Sequence, residues 1–382
     1  MISLELSAEQ KEWQQAARDF AEKEIRPVSC KLDKGSDEAC FWPLMERMSK
    51  EGFLAMGVPK EYGGSGLDFM TMSAVVEELA VADGGMAFTA TSNSFLPLMV
   101  AGTDEQKRTF LPLTSNREKP GLAAFALTEP HAGSDGASIT TTATKDGREY
   151  VLDGEKCFIS NGNIARIYTV LATVDRGKGL KGITAFLVPD HLDGLDRGRV
   201  EDKLGFRSSH TGTVVFHSVR VPEGNRLGAE GDGFPIAMKV LEVMRIVSCG
   251  AVGVGIARAA YESALRFLLT YSNAKKLISQ QALSFDLADM LASIEASRLL
   301  VWKSCWMLDN KIPAATMSSI TKFYVSDMAV EVANKGLNLV GLYGVNKDYP
   351  MDKYVRDAKV LQIYEGTNQI SRLVASRGIL SC

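Results

Sequence analysis

Two short stretches of this 382-residue chain gather residue types that could do chemistry. The first is Leu127-Thr128-Glu129-Pro130-His131-Ala132-Gly133-Ser134-Asp135, directly after the apolar run GLAAFAL and dense in hydroxyls and turn residues. Such a loop can offer hydrogen bonds to a polar heterocycle or a phosphate. It also has the composition of a hydroxyl-capped surface turn. The second is Gln362-Ile363-Tyr364-Glu365-Gly366-Thr367-Asn368-Gln369-Ile370. Here Gly366 lets a backbone or ligand approach closely, and Tyr364 flanks a single carboxylate, so Glu365 reads as an acid held in a partly dry site. The competing reading is helix capping by Thr367 or Asn368, with Glu365 favouring the helix dipole. Spacing leaves both open.

Other chemistries lack their residues. His131, His191, His210 and His217 are dispersed, with no H-E-x-x-H and no i,i+4 pair, so no metal site is expected. There is no G-x-S-x-G elbow and no phosphate-binding G-x-x-x-x-G-K-[ST] loop. Gly253-x-Gly255 sits inside a helical pattern rather than between strand and helix, so it reads as close helix packing and not as a dinucleotide fingerprint. The six cysteines are scattered without a C-x-x-C, which argues against a disulfide framework or a zinc knuckle and fits a reducing compartment.

The elements that must position the two segments follow an α–β–α order. Ser7 and Gln10 form a capping box ahead of an amphipathic helix running to Cys30, and further helices are expected at Trp42–Glu51 and Met70–Ala82. Between about 120 and 230 the period changes to two, with β-branched runs at Thr140–Thr144, Glu149–Leu152, Tyr168–Thr173, Ile183–Val188 and Val214–Val221. These predict a compact antiparallel β domain. Helical periodicity then returns at Ile236, Val240, Val243 and Met244 and again at Leu283, Leu287, Met290 and Ile294, with a last helix over Ile370–Leu380. The expected fold class is therefore α+β with three domains, 1–119 helical, 120–231 β and 232–382 a helical bundle, and not a doubly wound sheet.

Composition agrees with a globular protein and narrows its partners. Lys plus Arg number 43 against 46 Asp plus Glu, a net charge of −3, and no basic field invites nucleic acid. The N-terminus lacks the order of a secretory signal, and the most apolar stretch, 246–257, is broken by Ser248 and three glycines and falls short of the ~18 residues of a membrane span. The chain reads as soluble and cytoplasmic.

Taken together, LTEPHAGSD and QIYEGTNQI resemble the two signatures of acyl-CoA dehydrogenases. Supporting matches are Phe158-Ile159-Ser160-Asn161-Gly162, Lys203-Leu204-Gly205-Phe206-Arg207, Val221-Pro222, Gly233-Phe234 and Arg356-Asp357-Ala358-Lys359, and the likeness extends from the N-terminal helix to residue 380. It is nearest to the short-chain, butyryl-type branch. The resemblance implies a helical N-terminal domain, a middle β domain and a C-terminal four-helix bundle. It implies flavin-dependent α,β-dehydrogenation of a short acyl thioester, on CoA or an acyl-carrier protein, with Glu365 taking the α-proton while the β-hydrogen leaves as hydride to FAD N5. A carboxylate whose burial raises its pKa suits that role. The thioester oxygen would be stabilised by the backbone N–H of Glu365 and a flavin hydroxyl.

The resemblance also assigns flavin contacts to Phe125, Leu127, Thr128, Ser134, Phe158, Ile159, Ser160, Gln281, Asn338, Gly341, Thr367, Asn368 and Gln369, and substrate contacts to Ser134, Glu242, Arg245 and Gly366. Glu242 and Arg245 match the family's D-x-x-R, although an i,i+3 ion pair explains Glu242 equally well. The implied partners are an electron-transferring flavoprotein and further copies of the chain in a dimer or tetramer, with a heteromer as a variant.

The sequence departs from the family at one end of the cofactor. After Tyr271 the usual E-R-x-x-F-G is replaced by Ser272-Asn273-Ala274-Lys275-Lys276-Leu277, and the usual Q-x-x-G-G reads Asn338-Leu339-Val340-Gly341-Leu342. Loss of an Arg–phosphate fork together with a Gly-to-Leu change predicts weaker FAD retention, with Lys275 or Lys276 as a partial substitute. The ranked consequences are FAD bound weakly or differently, FAD completed by a heteromeric partner, or a flavin-poor protein that keeps Glu365 for proton chemistry such as enoyl thioester isomerisation.

Overall fold

The computed structural model describes residues 5–35, 38–91, 95–271, 280–347 and 349–381. The stretch 272–277, with the Lys275 and Lys276 substitution, lies outside the described residues.

The first helix begins as the capping box requires. The Ser7 hydroxyl accepts the Gln10 N–H at 3.2 Å, and the Gln10 side chain accepts the Ser7 N–H at 2.9 Å. The helices Glu38–Lys50 and Phe69–Ala82 follow close to their expected positions. Phe69–Ala82 is apolar almost all round, and it is buried on nearly every residue because helices pack against it from both sides.

Among the described residues eight strands follow: β1 (Ala123–Ala126), β2 (Thr142–Asp146), β3 (Glu149–Ser160), β4 (Ile167–Thr173), β5 (Ile183–Pro189), β6 (Leu195–Val200), β7 (Thr211–Pro222) and β8 (Arg226–Leu227). The sheet order is β6-β7-β3-β2-β4-β5-β8, with β1 also on β4. The expectation of an antiparallel domain needs correcting. β1 runs parallel to β4, and β2 touches β4 in parallel at Thr142 and Thr173. Period-two patterning reports which face a residue occupies but carries no information on strand direction. The two faces serve different cores. Ile167 and Leu171 of β4, with Ile183, Ala185 and Leu187 of β5, join the helices. Tyr168, Val170, Phe186 and Val188 join the sheet's own core.

From Gly233 to Thr270 the chain is one helical run: an α segment Gly233–Met244, a π segment Arg245–Ala251 and an α segment Val252–Thr270. It is long and apolar enough to pass for a membrane span, which the broken stretch 246–257 did not predict, but most of it is buried against the other helices as a core element. Gly255 explains part of that packing. A Cβ there would lie 2.5 Å from the Ala80 Cβ, so only glycine lets this helix meet Phe69–Ala82 so closely. The helices Gln281–Asp309, Ala315–Val340 and Asn368–Leu380 complete a four-helix bundle, with Met351–Leu361 leading into the last.

Candidate active site

Glu365 lies in the turn between Met351–Leu361 and Asn368–Leu380. Its φ is +57° and that of Gly366 is +85°, so two successive residues are left-handed. A non-glycine residue in that region costs on the order of 1–3 kcal/mol and persists only where its surroundings force it. Three contacts do so. Arg245 Nε donates to the Glu365 carbonyl at 2.9 Å, and the Tyr364 hydroxyl donates to the Ser248 carbonyl at 2.5 Å. Thr367 caps the last helix by accepting the Ile370 N–H at 3.3 Å. Arg245 and Ser248 both belong to the π segment, a widened turn of a kind that recurs at functional sites. A Cβ on residue 366 would come within 3.1 Å of the Arg245 guanidinium, so glycine there keeps the arginine in place.

The helix that leads into this turn is anchored by the two supporting motifs. The Phe206 N–H donates to Asp357 at 2.7 Å, and Arg356 donates to the Leu204 carbonyl at 3.0 Å. Phe88 and Phe206 then close on the Tyr364 ring, with centroids 4.9 and 5.8 Å away.

Partial burial sets the electrostatics. It pushes the Glu365 carboxyl up to about 7, against the opposing fields of Arg245 and Lys322. Arg245 is 5% exposed and Lys322 fully buried. A carboxylate of that basicity takes a proton near neutral pH far better than an ordinary glutamate does.

The second half of the site comes from the sheet. β1 puts Phe125 on the face that meets the helices, and Phe125 and Leu127 pack at the margin of the same core as Val243 and Tyr364. The Thr128 carbonyl accepts the Cys157 N–H at 3.0 Å, which sets 125–128 beside Phe158, Ile159 and Ser160. Phe158 has φ +54° and is 62% exposed, while Ile159 is buried and Ser160 half-buried. A large aromatic ring held outward on a left-handed backbone, beside the partly exposed Thr128 and Ser160, fits a flat heterocycle with polar edges, and Ser134 is exposed further along the same loop.

One lock of this loop was not read from the sequence. Glu129 and Lys156, both buried, pair at 2.8 Å, and Lys156 also donates to the Leu127 carbonyl at 3.0 Å. Glu129 further accepts the N–H groups of Thr140 and Thr141 at 2.7 and 3.0 Å. Although burial opposes it, the Lys156 ammonium and these donors hold Glu129 down at about 2. The available signal was a charged residue at an inward position of a β strand, which is rare without a partner.

Other expected residues are differently employed. Glu242 accepts the Ala314 N–H at 2.9 Å, ahead of the Ala315–Val340 helix, rather than pairing with Arg245. Asn368 is buried, and its carboxamide is already bonded to Lys322 (2.7 Å), Ser326 and Asp327 (2.7 Å); Gln369 is exposed. Gln281 is exposed at the start of its helix, and Asn338 and Gly341 lie at the end of Ala315–Val340. The helical rise puts that end ~27 Å from Lys322, so within one chain Asn338 and Gly341 do not join Glu365. Leu342 beside them is 85% exposed.

The N-terminal, middle and C-terminal domains of acyl-CoA dehydrogenase match residues 7–118, 124–219 and 231–380. A protein of Clostridium acetobutylicum named "Acyl-CoA dehydrogenase, short-chain specific" is 38% identical over 98% of this chain and 99% of its own. The structure of butyryl-CoA dehydrogenase from Megasphaera elsdenii superposes with a TM-score of 0.93 at 37% identity, covering 99% of this chain and 100% of that one. A chain from work on the electron transferring flavoprotein of Acidaminococcus fermentans superposes with a TM-score of 0.94 at 37% identity over the full length of both. Three domains matched in order, and relatives alike over nearly the whole length, show that this chain belongs to the acyl-CoA dehydrogenase family.

Proposed function

We propose that this protein is a flavin-dependent dehydrogenase of short acyl-CoA thioesters in which Glu365 is the catalytic base. The observation that carries the reading is the Glu365 carboxyl itself, raised to about 7 by burial and mounted on a left-handed turn that Arg245 clamps. Glu365 takes the α-proton: the α-carbon–hydrogen bond breaks, a carboxyl O–H forms, and the electron pair shifts towards the thioester oxygen. The Glu365 main-chain N–H stabilises that oxygen, while Arg245 holds the next peptide unit through the Glu365 carbonyl and so fixes the backbone turn that presents the N–H. Gly366 leaves room for the Arg245 guanidinium that clamps the turn. FAD, when bound, supplies the acceptor for the β-hydrogen.

Phe125, Leu127, Thr128, Ser134, Phe158, Ile159, Ser160, Thr367 and Gln369 are the residues proposed to line the flavin. Gln281, Asn338 and Gly341 are proposed to serve its far end in a neighbouring copy, which makes a homo-oligomer the working unit. Leu342 in place of glycine weakens that grip. The family relationship supports an electron-transferring flavoprotein as the electron acceptor and residues 1–119, 120–231 and 232–382 as the domains.

Anaerobic addition of butyryl-CoA to the flavin-loaded protein tests the reading. The flavin absorbance should bleach with the wild type and persist with Glu365→Gln. A variant that bleaches at the wild-type rate overturns it.

A further inference from the structure

Two buried cations stand by Glu365, and among the described residues neither has a carboxylate within 4.0 Å. Burying an ammonium or guanidinium without a partner is costly, so a sequence keeps one only where its charge is used. Arg245 has a visible use, the clamp on the Glu365 carbonyl, with a second bond to Ser319 Oγ at 3.3 Å. Lys322 is the less obvious one. It projects from the helix Ala315–Val340, is 0% exposed, and donates to Asn368 Oδ1 at 2.7 Å. Asn368 opens the helix that follows the Glu365 turn, and its amide group donates in turn to Asp327 at 2.7 Å and to Ser326 at 2.9 Å.

The titratable groups that face Glu365 come from three elements: Arg245 and Cys249 from the π segment, Lys322 from Ala315–Val340, and Tyr364 from its own turn. Burial pushes the Cys249 thiol up to about 12, and it raises the Tyr364 phenol well above its ordinary value, so both are neutral at physiological pH. Asp327 stands on the far side of Asn368 and is paired with Arg372 at 2.7 Å. The field at the carboxylate is therefore set by Arg245 and Lys322.

We propose that Lys322 is a positioning residue for the base, its ammonium anchored on Asn368 so as to hold Glu365 ionised in a drying site and to stabilise the negative charge left on the thioester once the proton has moved. The proposal rests on the reading of Glu365 as the base. Arg245 serves both the geometry of the turn and the charge of the side chain, whereas Lys322 serves the charge alone.

The test is the pH dependence of solvent deuterium exchange at the α-carbon of butyryl-CoA, read by mass spectrometry on the flavin-loaded protein. Lys322→Gln keeps a donor for Asn368 but removes the charge, and should move the midpoint of the acid limb upward by about 1 pH unit. Lys322→Arg should restore it to the wild-type position. A folded Lys322→Gln with lower exchange at every pH and an unmoved midpoint overturns the proposal, because a purely structural lysine behaves that way. If the neutral variant does not fold, 15Nζ NMR of the wild type reads the same point: a charged Lys322 whose resonance shifts as Glu365 titrates supports the proposal, and a neutral amine at pH 7 overturns it. Glu365→Gln separates the two claims. Exchange at the wild-type rate in that variant removes the base itself, whereas abolished exchange with an unmoved Lys322→Gln midpoint removes only the role of Lys322.

Discussion

Arg245 Nε donates to the main-chain carbonyl of Glu365 at 2.9 Å, across 120 residues of sequence. A buried, charged donor is thus spent on the backbone of the residue that does the chemistry and not on its carboxylate. Charge-assisted hydrogen bonds of this kind contribute roughly 1.5–3 kcal/mol. Arg245→Met should therefore lower kcat by about 10- to 100-fold while the protein stays folded, because the left-handed turn loses its clamp. Steady-state kinetics with circular dichroism on the same samples checks this; an unchanged kcat would show that the clamp is idle.

The raised carboxyl of Glu365 also makes a stability prediction. Its folded value, about 7, lies above the ordinary glutamate value, so the folded state binds the proton more tightly than the unfolded chain. Its contribution favours the folded state at low pH and is lost as the pH rises through the window from about 4.5 to about 7. Above that window the ionised, partly buried carboxylate costs on the order of 3 kcal/mol. Glu365→Gln should accordingly melt higher than the wild type at about pH 8, and the gap should close by about pH 5. A gap that does not depend on pH would contradict the assigned shift.

The Glu129–Lys156 pair predicts a different pattern. Lys156→Met strands a buried carboxylate that accepts several hydrogen bonds, and should cost about 3–5 kcal/mol and reduce flavin content. Adding Glu129→Gln should recover part of the loss, because the stranded charge goes with it. Thermal melting and flavin-to-protein absorbance ratios for the two variants decide it. A double variant no better than the single one would show that the pair is not coupled.

At the other end of the bundle, Leu342 is 85% exposed beside Gly341. If the side chain obstructs the far end of the cofactor in a neighbouring copy, Leu342→Gly should slow FAD loss on dialysis several-fold without moving the melting temperature of the flavin-free protein. Equal loss from both proteins would separate Leu342 from cofactor retention.

The Ser7–Gln10 cap was legible because local spacing carries it, within the few residues where capping rules act. The segments around Glu365 and 125–128 were legible through their resemblance to the family's two signatures, since spacing alone left Glu365 open between a base and a helix-capping neighbour. What stayed hidden was long-range. β1 pairs with β4 some 40 residues onward, and period two carries no strand direction. Phe158 adopts a left-handed backbone next to a register irregularity in β3, which no propensity for phenylalanine foretells. Asn368 looked like a ligand contact in QIYEGTNQI, but its partner Lys322 stands 46 residues earlier in another helix. Glu242 was open between a substrate contact and an i,i+3 ion pair with Arg245, and the structure turns it instead to the Ala314 N–H 72 residues away.

The central claim is that one side chain, Glu365, moves the α-proton. Its most direct measurement is deuterium incorporation from D2O into butyryl-CoA by the flavin-loaded protein, with Glu365→Gln beside the wild type. The account predicts that incorporation falls to the uncatalysed rate in the variant while thioester affinity stays within a few-fold, since the amide keeps the shape of the carboxylate and loses only its basicity. Incorporation at the wild-type rate in Glu365→Gln would contradict it.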